Sequence, residues 1–369
     1  MNLDAETNEL VPDWSIHPGT FLGTLLEKRA IRQSELAERT GLTTKHVNQI
    51  VNGVIGISGD VAVRLERVLG VPTRYWIQLD ADYTAHASQQ KARHQLSEFT
   101  AWARGFDDTT LRRHRIVGAE DESTVKIEKI LKFFSVASPD AFEQAWIRPR
   151  VSFRRRQSFT VAEQNTALWL RLVERSAEQA DVIPLHQRTL RDVARTLPGM
   201  TNLGILDGFH AVRSILAQAG VILTFVREVP GTRVCGATWW LGKDRPVIGV
   251  TERHRKPDIL WFNIAHEIGH ILLHPNRTTF LDLDSEKSEQ DTAEMEADRF
   301  AEGILIPEGS DALIKQANTR QELALLSARL GVGATIVAGR HARLTGNWRV
   351  GSGLRGKITD ADVDGLERL

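Results

Sequence analysis

The run ILWFNIAHEIGHILL, from Ile259 to Leu273, carries His266 and His270 four residues apart on a strongly apolar segment. On a helix that spacing puts both rings on one face, about 5.4 Å apart along the axis. Two imidazoles so placed reach one zinc ion, and Glu267 beside them is the residue type for a general base. Pro257 suits a first helical turn and Pro275 stops the helix soon after His270. Ile264, Ile268, Ile271 and Leu272 supply a buried face, so this helix is expected at the centre of its domain. The competing reading is a pair of ordinary core histidines. It leaves a carboxylate on an apolar helix without a purpose, at a cost.

Two histidines do not complete a zinc site, and a third protein ligand is needed. His274 lies about 12 Å along the axis from His266 on a straight helix, too far to share the ion. The segment Glu294-Met295-Glu296-Ala297-Asp298-Arg299-Phe300-Ala301 is a better source. Its core stripe is Ala293, Ala297, Phe300 and Ile304, with Glu294 and Asp298 on one flank and Glu296 on the other. Glu294 can ligate while Asp298 holds a ligand histidine's other N–H. Glu296 is the alternative ligand, and a solvated acidic face is the plainer reading.

Upstream of the helix the pattern is that of strands. Val221–Val226, Val234–Leu241 and Pro246–Val250 are apolar runs separated by turn signals at Pro230-Gly231 and Gly242-Lys243-Asp244. Cys235 reads as a small apolar filler within the second run. Together HEIGH (266–270), EMEADRFAEGILIP (294–307) and GTRVCGATWW (231–240) resemble the ImmA/IrrE metallopeptidases over roughly residues 200–345. The resemblance implies a small sheet packed on helices, zinc held by His266, His270 and Glu294, and Glu267 as the base. It implies cleavage of a protein partner, commonly a repressor. Asp298 stands where Asn is common in that family, and Cys235 where Ser is expected. Arg253, His254 and His274 are the candidates for stabilising an oxyanion, with a structural or solvated role as the favoured reading of each. The polar stretch Arg277–Gln290 is expected as a loop bordering the cleft, with Asp282 and Asp284 solvated.

A second organised segment lies near the N-terminus, after a lead-in over residues 1–13. Phe21, Leu22, Leu25 and Leu26 mark a helix ending near Ala30. A short helix (33–40), a turn at Gly41 and a second helix (44–52) closed by Gly53 follow. Leu36, Leu42, Val47 and Ile50 fill the space between them, and Ala37 is small where they cross, which is helix-turn-helix logic. The outward residues of the second helix are Thr43, Thr44, Lys45, Asn48 and Gln49. Asn48 or Gln49 can read adenine edges, while Gln33 and Lys45 suit phosphate. Ser58 caps a fourth helix and Thr73 opens a fifth. The alternative is a plain helical bundle. His17-Pro18-Gly19, QSELA (33–37), Asn52-Gly53, Gly56-Ile57-Ser58 and PTRYW (72–76) resemble the lambda-repressor-like helix-turn-helix family, in its HigA-type antitoxin branch. That resemblance implies an operator-binding homodimer.

Between them, residues 89–195 read as mostly helical and offer no catalytic constellation. Thr160 and Glu163 read as a capping box. Arg148, Arg150, Arg154, Arg155 and Arg156, interleaved with Trp146 and Phe153, read as a solvated basic face rather than a phosphate contact. The tail Arg320–Gly346 again looks like helix-turn-helix. The metallopeptidase resemblance includes such a terminal element as ordinary structure, so a second DNA reader is the less favoured reading.

The bulk numbers agree with this plan. A chain of 369 residues supports two or three domains. Lys and Arg number 47 and Asp and Glu 47, so any nucleic-acid surface is local. The single cysteine excludes an internal disulfide and fits a reducing cytoplasm. The acidic N-terminus lacks the apolar core of a signal peptide, and no apolar run approaches the ~20 residues needed to span a bilayer. The expectation is a mainly α protein with a small β-sheet in its C-terminal domain. It comprises a five-helix domain (1–88), a helical connector (89–195) and an α+β zincin-like metallopeptidase domain (196–369). Its partners are expected to be operator DNA and a protein substrate or toxin, with no membrane. The alternative function is an antitoxin or autorepressor whose peptidase-like domain senses a partner without cutting it.

Overall fold

The structure, a computed structural model, describes residues 16–148, 162–274, 280–283 and 292–368. It divides into two compact units, Met1–Thr100 with Glu122–Glu128, and Ala101–Asp121 with Lys129–Leu369. The lead-in, Thr160 and the arginines from Arg150 to Arg156 lie outside the described residues. No single described helix is long and apolar enough to cross a membrane.

The first unit holds the five expected helices: α1 (Pro18–Lys28), α2 (Gln33–Thr40), α3 (Thr44–Val51), α4 (Gly59–Leu69) and α5 (Thr73–Leu96). The last runs unbroken to Leu96, past residue 88. Leu22, Leu36, Val47, Ile50, Leu65 and Trp76 are fully buried and form the shared core. Gly41 ends α2 at φ 70°, a left-handed value that glycine adopts without strain. The Thr43 hydroxyl caps α3 by accepting from the His46 N–H at 3.1 Å. At the opposite side α1 crosses α3 very closely. A Cβ on Gly19 would stand 1.8 Å from the Ile50 carbonyl oxygen.

The second unit is built on a four-stranded sheet in the order β1-β3-β2-β4. Among the helices that precede it are α6 (Glu163–Glu178) and α7 (Ile205–Gln218). The strands are β1 (Ile222–Phe225), β2 (Val234–Trp240), β3 (Pro246–Val250) and β4 (Phe280–Leu283). β1 and β3 are parallel, and β2 is antiparallel to both of its neighbours. The fourth strand corrects the sequence reading, in which residues 280–283 belonged to a polar loop. Its four residues, FLDL, pair with β2 through backbone groups, which a short sequence window does not reveal. Asp284 lies outside the described residues.

The sheet is covered on both faces, which explains why its first three strands are continuous apolar runs. Gly249 faces α6, where a Cβ would meet Val173 at 2.7 Å. Gly236 and Thr238 face the other way, toward α8 (Pro257–Leu273). Helix α9 (Thr292–Leu305) packs across α8 and buries Ala297, Ala301 and Leu305. Asn165 on α6 ties residues near 107 to the sheet, accepting from the Asp107 N–H at 2.8 Å and donating to the Pro230 carbonyl at 3.1 Å. Glu163 is the first residue of α6, not the third as a capping box requires, because Ala162 is its N-cap.

The tail forms α10 (Arg320–Leu330) and α11 (Ala334–Thr345), with Gly331 left-handed between them. Ile336, Val337, Ala338, His341 and Ala342 on α11 are buried, and Arg340 is held by Glu302 and Asp311. The helix that would enter a groove is therefore core.

Gly19→Ala is expected to destabilise the first unit by about 1–3 kcal/mol, because the added methyl must push α1 off α3. Chemical denaturation of the full chain checks this; an unchanged first transition would contradict the crossing described.

Candidate functional site

Helix α8 brings His266, Glu267 and His270 to one place, and all three are at most 1% exposed. The two Nε2 atoms stand 3.0 Å apart. Glu294 arrives from α9 with one oxygen 3.2 Å from His266 Nε2 and the other 3.4 Å from His270 Nε2. Ligand atoms of the three residues lie within 4.8 Å of one another, and no other such group of three occurs among the described residues. On the far side of His266, Nδ1 meets the Asp298 carboxylate at 2.9 Å.

Glu294, not Glu296, completes this group. Glu296 lies on the other flank of α9, half exposed and 3.8 Å from His274 Nδ1. His274 itself faces the Ala293 carbonyl through Nε2 at 3.1 Å, outside the group, as its distance along the axis requires. Helix α8 ends at Leu273, and Pro275 lies outside the described residues.

The electrostatics follow from burial and proximity. Burial pushes the His270 imidazole down, toward the neutral form with a lone pair to give. Burial pushes the Glu294 carboxyl up, but hydrogen bonding to His266 and His270 outweighs it and holds the group well below the ordinary carboxylate range.

Sequence reasoning missed the support for Glu267. Thr238 on β2 donates its hydroxyl to Glu267 Oε2 at 2.5 Å. Two residues earlier on the same face, Gly236 leaves room for the carboxylate: a Cβ there would stand 2.5 Å from Oε1. Strand alternation puts residues 236 and 238 on one face, but only the packing shows which helix that face meets.

The nucleic-acid candidates share one exposed edge of the first unit. Thr43, Thr44, Lys45 and Asn48 are exposed, while Gln33 and Gln49 are half-buried. The Asn48 amide donates to Gln33 Oε1 at 3.1 Å and accepts from the Asn52 amide at 2.9 Å. Asn52 was missed as part of this chain. The Thr43 hydroxyl oxygen accepts the α3 cap bond, which leaves its O–H to donate.

Residues 22–76 match the helix-turn-helix family model, and residues 222–341 match the M78 peptidase family model, the IrrE N-terminal-like domain. The chain thus carries a DNA-binding helix-turn-helix domain and a domain of the IrrE/ImmA metallopeptidase type. No curated protein matches the chain. Solved structures match about a fifth of the chain. The HigA-family addiction module antidote protein from Coxiella burnetii is 27% identical, covering 22% of this chain and 91% of its own, at a TM-score of 0.21. The antitoxin HigA of Pseudomonas aeruginosa, solved with the higBA promoter, is 34% identical, covering 21% and 89%, at 0.20.

Thr238→Val is expected to cost about 1–3 kcal/mol at neutral pH, since it strips a buried carboxylate of its hydroxyl donor without changing side-chain shape. Denaturation of the metal-free protein measures it, and a cost near zero would remove Thr238 from this role.

Proposed function

We propose that this chain is a DNA-binding regulator whose second unit is a zinc-dependent endopeptidase acting on a protein partner. One observation carries the reading: two imidazole nitrogens and a carboxylate converge within 4.8 Å, with a second carboxylate, Glu267, beside them on the same helix. The donor set fits zinc. Tetrahedral ligands at 2.0–2.2 Å from the ion stand roughly 3.3–3.6 Å apart. The two Nε2 atoms stand 3.0 Å apart, and the two Glu294 oxygens lie 3.2 Å from His266 Nε2 and 3.4 Å from His270 Nε2 respectively, near that spacing.

His266, His270 and Glu294 would hold the ion, leaving a fourth position for water or substrate. Bound zinc supplies a Lewis acid that polarises the scissile carbonyl and lowers the pKa of water toward ~7. The protein does the rest. Asp298 fixes the His266 ring by taking its Nδ1–H, so that Nε2 faces the site. Thr238 and Gly236 hold the Glu267 carboxylate in place. Glu267 takes the proton of the attacking water and returns it to the leaving amine.

In the first unit, Asn48, Gln49 and Thr44 read base edges while Gln33, Thr43 and Lys45 contact phosphate, with the protein bound to its operator as a homodimer. Asn48 is held by Gln33 and Asn52, which leaves its second N–H and the spare lone pair of its oxygen for an adenine edge. Residues 1–88, 89–195 and 196–369 would then serve as reader, connector and peptidase in a cytoplasmic protein.

The second reading is an antitoxin or autorepressor that senses a partner through the peptidase-like domain without cutting it. The burial of His266, Glu267 and His270 favours it, because a substrate must first gain access.

Glu267→Gln decides between them. The substitution is expected to keep stoichiometric zinc and DNA affinity while abolishing cleavage of a co-expressed partner. A zinc-loaded wild-type protein that leaves every co-expressed partner intact would overturn the peptidase reading. Asn48→Ala is expected to cost about 1–3 kcal/mol of operator affinity, and Lys45→Ala to weaken binding uniformly and lower the salt slope by about one. Fluorescence anisotropy across a salt series reports both.

A further inference from the structure

Away from the His266–His270–Glu294 group, the second unit contains a cavity of about 790 Å³. None of the proposed zinc ligands or Glu267 lines it. Its volume lies within the range of small-molecule pockets and is far larger than a lone ion needs. Five cations line it, Arg113, Arg227, Arg253, Arg255 and Lys357, against three acids, Asp107, Glu228 and Glu252.

The cations differ in their surroundings. Arg227 is held by Asp364 and Glu367, Arg253 by Glu228 and Arg255 by Asp360. These pairs fix the wall. Arg227 nevertheless keeps a buried Nε–H with no hydrogen-bond partner among the described residues. Arg113 and Lys357 are exposed and form no ion pair among the described residues, so their charge is available to a ligand. Glu252, 6% exposed, lies deeper; its Oε2 accepts from the Glu228 N–H at 3.1 Å, and the carboxylate keeps further acceptor capacity for hydroxyl or amino groups.

The backbone here is also unusual. His254 and Arg255 both take left-handed conformations, at φ 69° and 49°. Such a pair of non-glycine residues costs on the order of 1–3 kcal/mol each, and strain of this kind concentrates at ligand clamps. The strained turn leads within two residues into α8, the helix that carries His266.

We propose that this cavity binds a nucleoside phosphate, with the phosphates on Arg113 and Lys357 and the sugar or base hydroxyl and amino groups on the carboxylates. A ligand of this class matches the volume, the two exposed cations Arg113 and Lys357, and the acceptor within. The inference does not rest on zinc binding or on peptidase activity.

Isothermal titration of the full chain with ADP, inorganic phosphate and a short DNA duplex tests it. ADP is expected to bind saturably and at least about tenfold more tightly than phosphate, because more of its groups are recognised. The pair Arg113→Glu with Lys357→Glu should weaken ADP at least about tenfold. Both side chains are exposed, so thermal melting should be unchanged; Arg113→Ala with Lys357→Ala serves if it is not. Absence of saturable ADP binding, ADP binding no tighter than phosphate, or variants that bind like wild type would each overturn the proposal. Displacement of ADP by the duplex through the same two residues would overturn it in favour of a nucleic-acid backbone site.

Discussion

Everything at the candidate metal centre depends on how closely α9 crosses α8. The crossing is made at Gly269, between Ile268 and His270. A Cβ at this position would stand 3.1 Å from the Phe300 ring and 3.2 Å from Ala297 Cα. Small residues on both sides, Gly269 and Ala297, let the helix axes approach. That approach carries Glu294 between two imidazoles and sets Asp298 behind one of them. A larger residue at either position would move the third ligand away from the first two while leaving the His-x-x-x-His spacing intact.

The same logic operates on the sheet side of α8. Gly236 removes a side chain where the Glu267 carboxylate must lie, and Thr238 supplies a hydroxyl to it. An isolated buried carboxylate is costly, so its position has to be prepared by its neighbours. Three elements, β2, α8 and α9, therefore each contribute a small residue or a polar group, and none of them forms the site alone. β4 adds to β2 beyond it, turning what would be an edge of the sheet into an interior strand.

The two helix-turn-helix-like segments show how far local geometry reaches. Gly41 and Gly331 are both left-handed, and each is followed after two residues by a helix, α3 or α11. The difference lies in what surrounds the second helix. α3 presents Thr44, Lys45 and Asn48 to solvent, whereas α11 is packed against α8 and α10 and its Arg340 is bound to acids. One turn geometry serves a candidate reading head in one unit and a core corner in the other.

What depends on neighbouring residues was legible in the chain before any fold was known. Helical periodicity, the glycine turns and the four-residue spacing of His266 and His270 are local, because helix and turn geometry act over a few residues. The apolar strands before α8 were legible for the same reason, and family resemblance linked Glu294 to histidines 24 and 28 residues earlier. Tertiary structure alone decided the rest. It brought Thr238 and Gly236 to Glu267 and made a strand of Phe280–Leu283, and it carried Glu294, already favoured over Glu296, between the two imidazoles. Each of these is a contact between residues distant in the chain, whose formation depends on packing that no short stretch encodes.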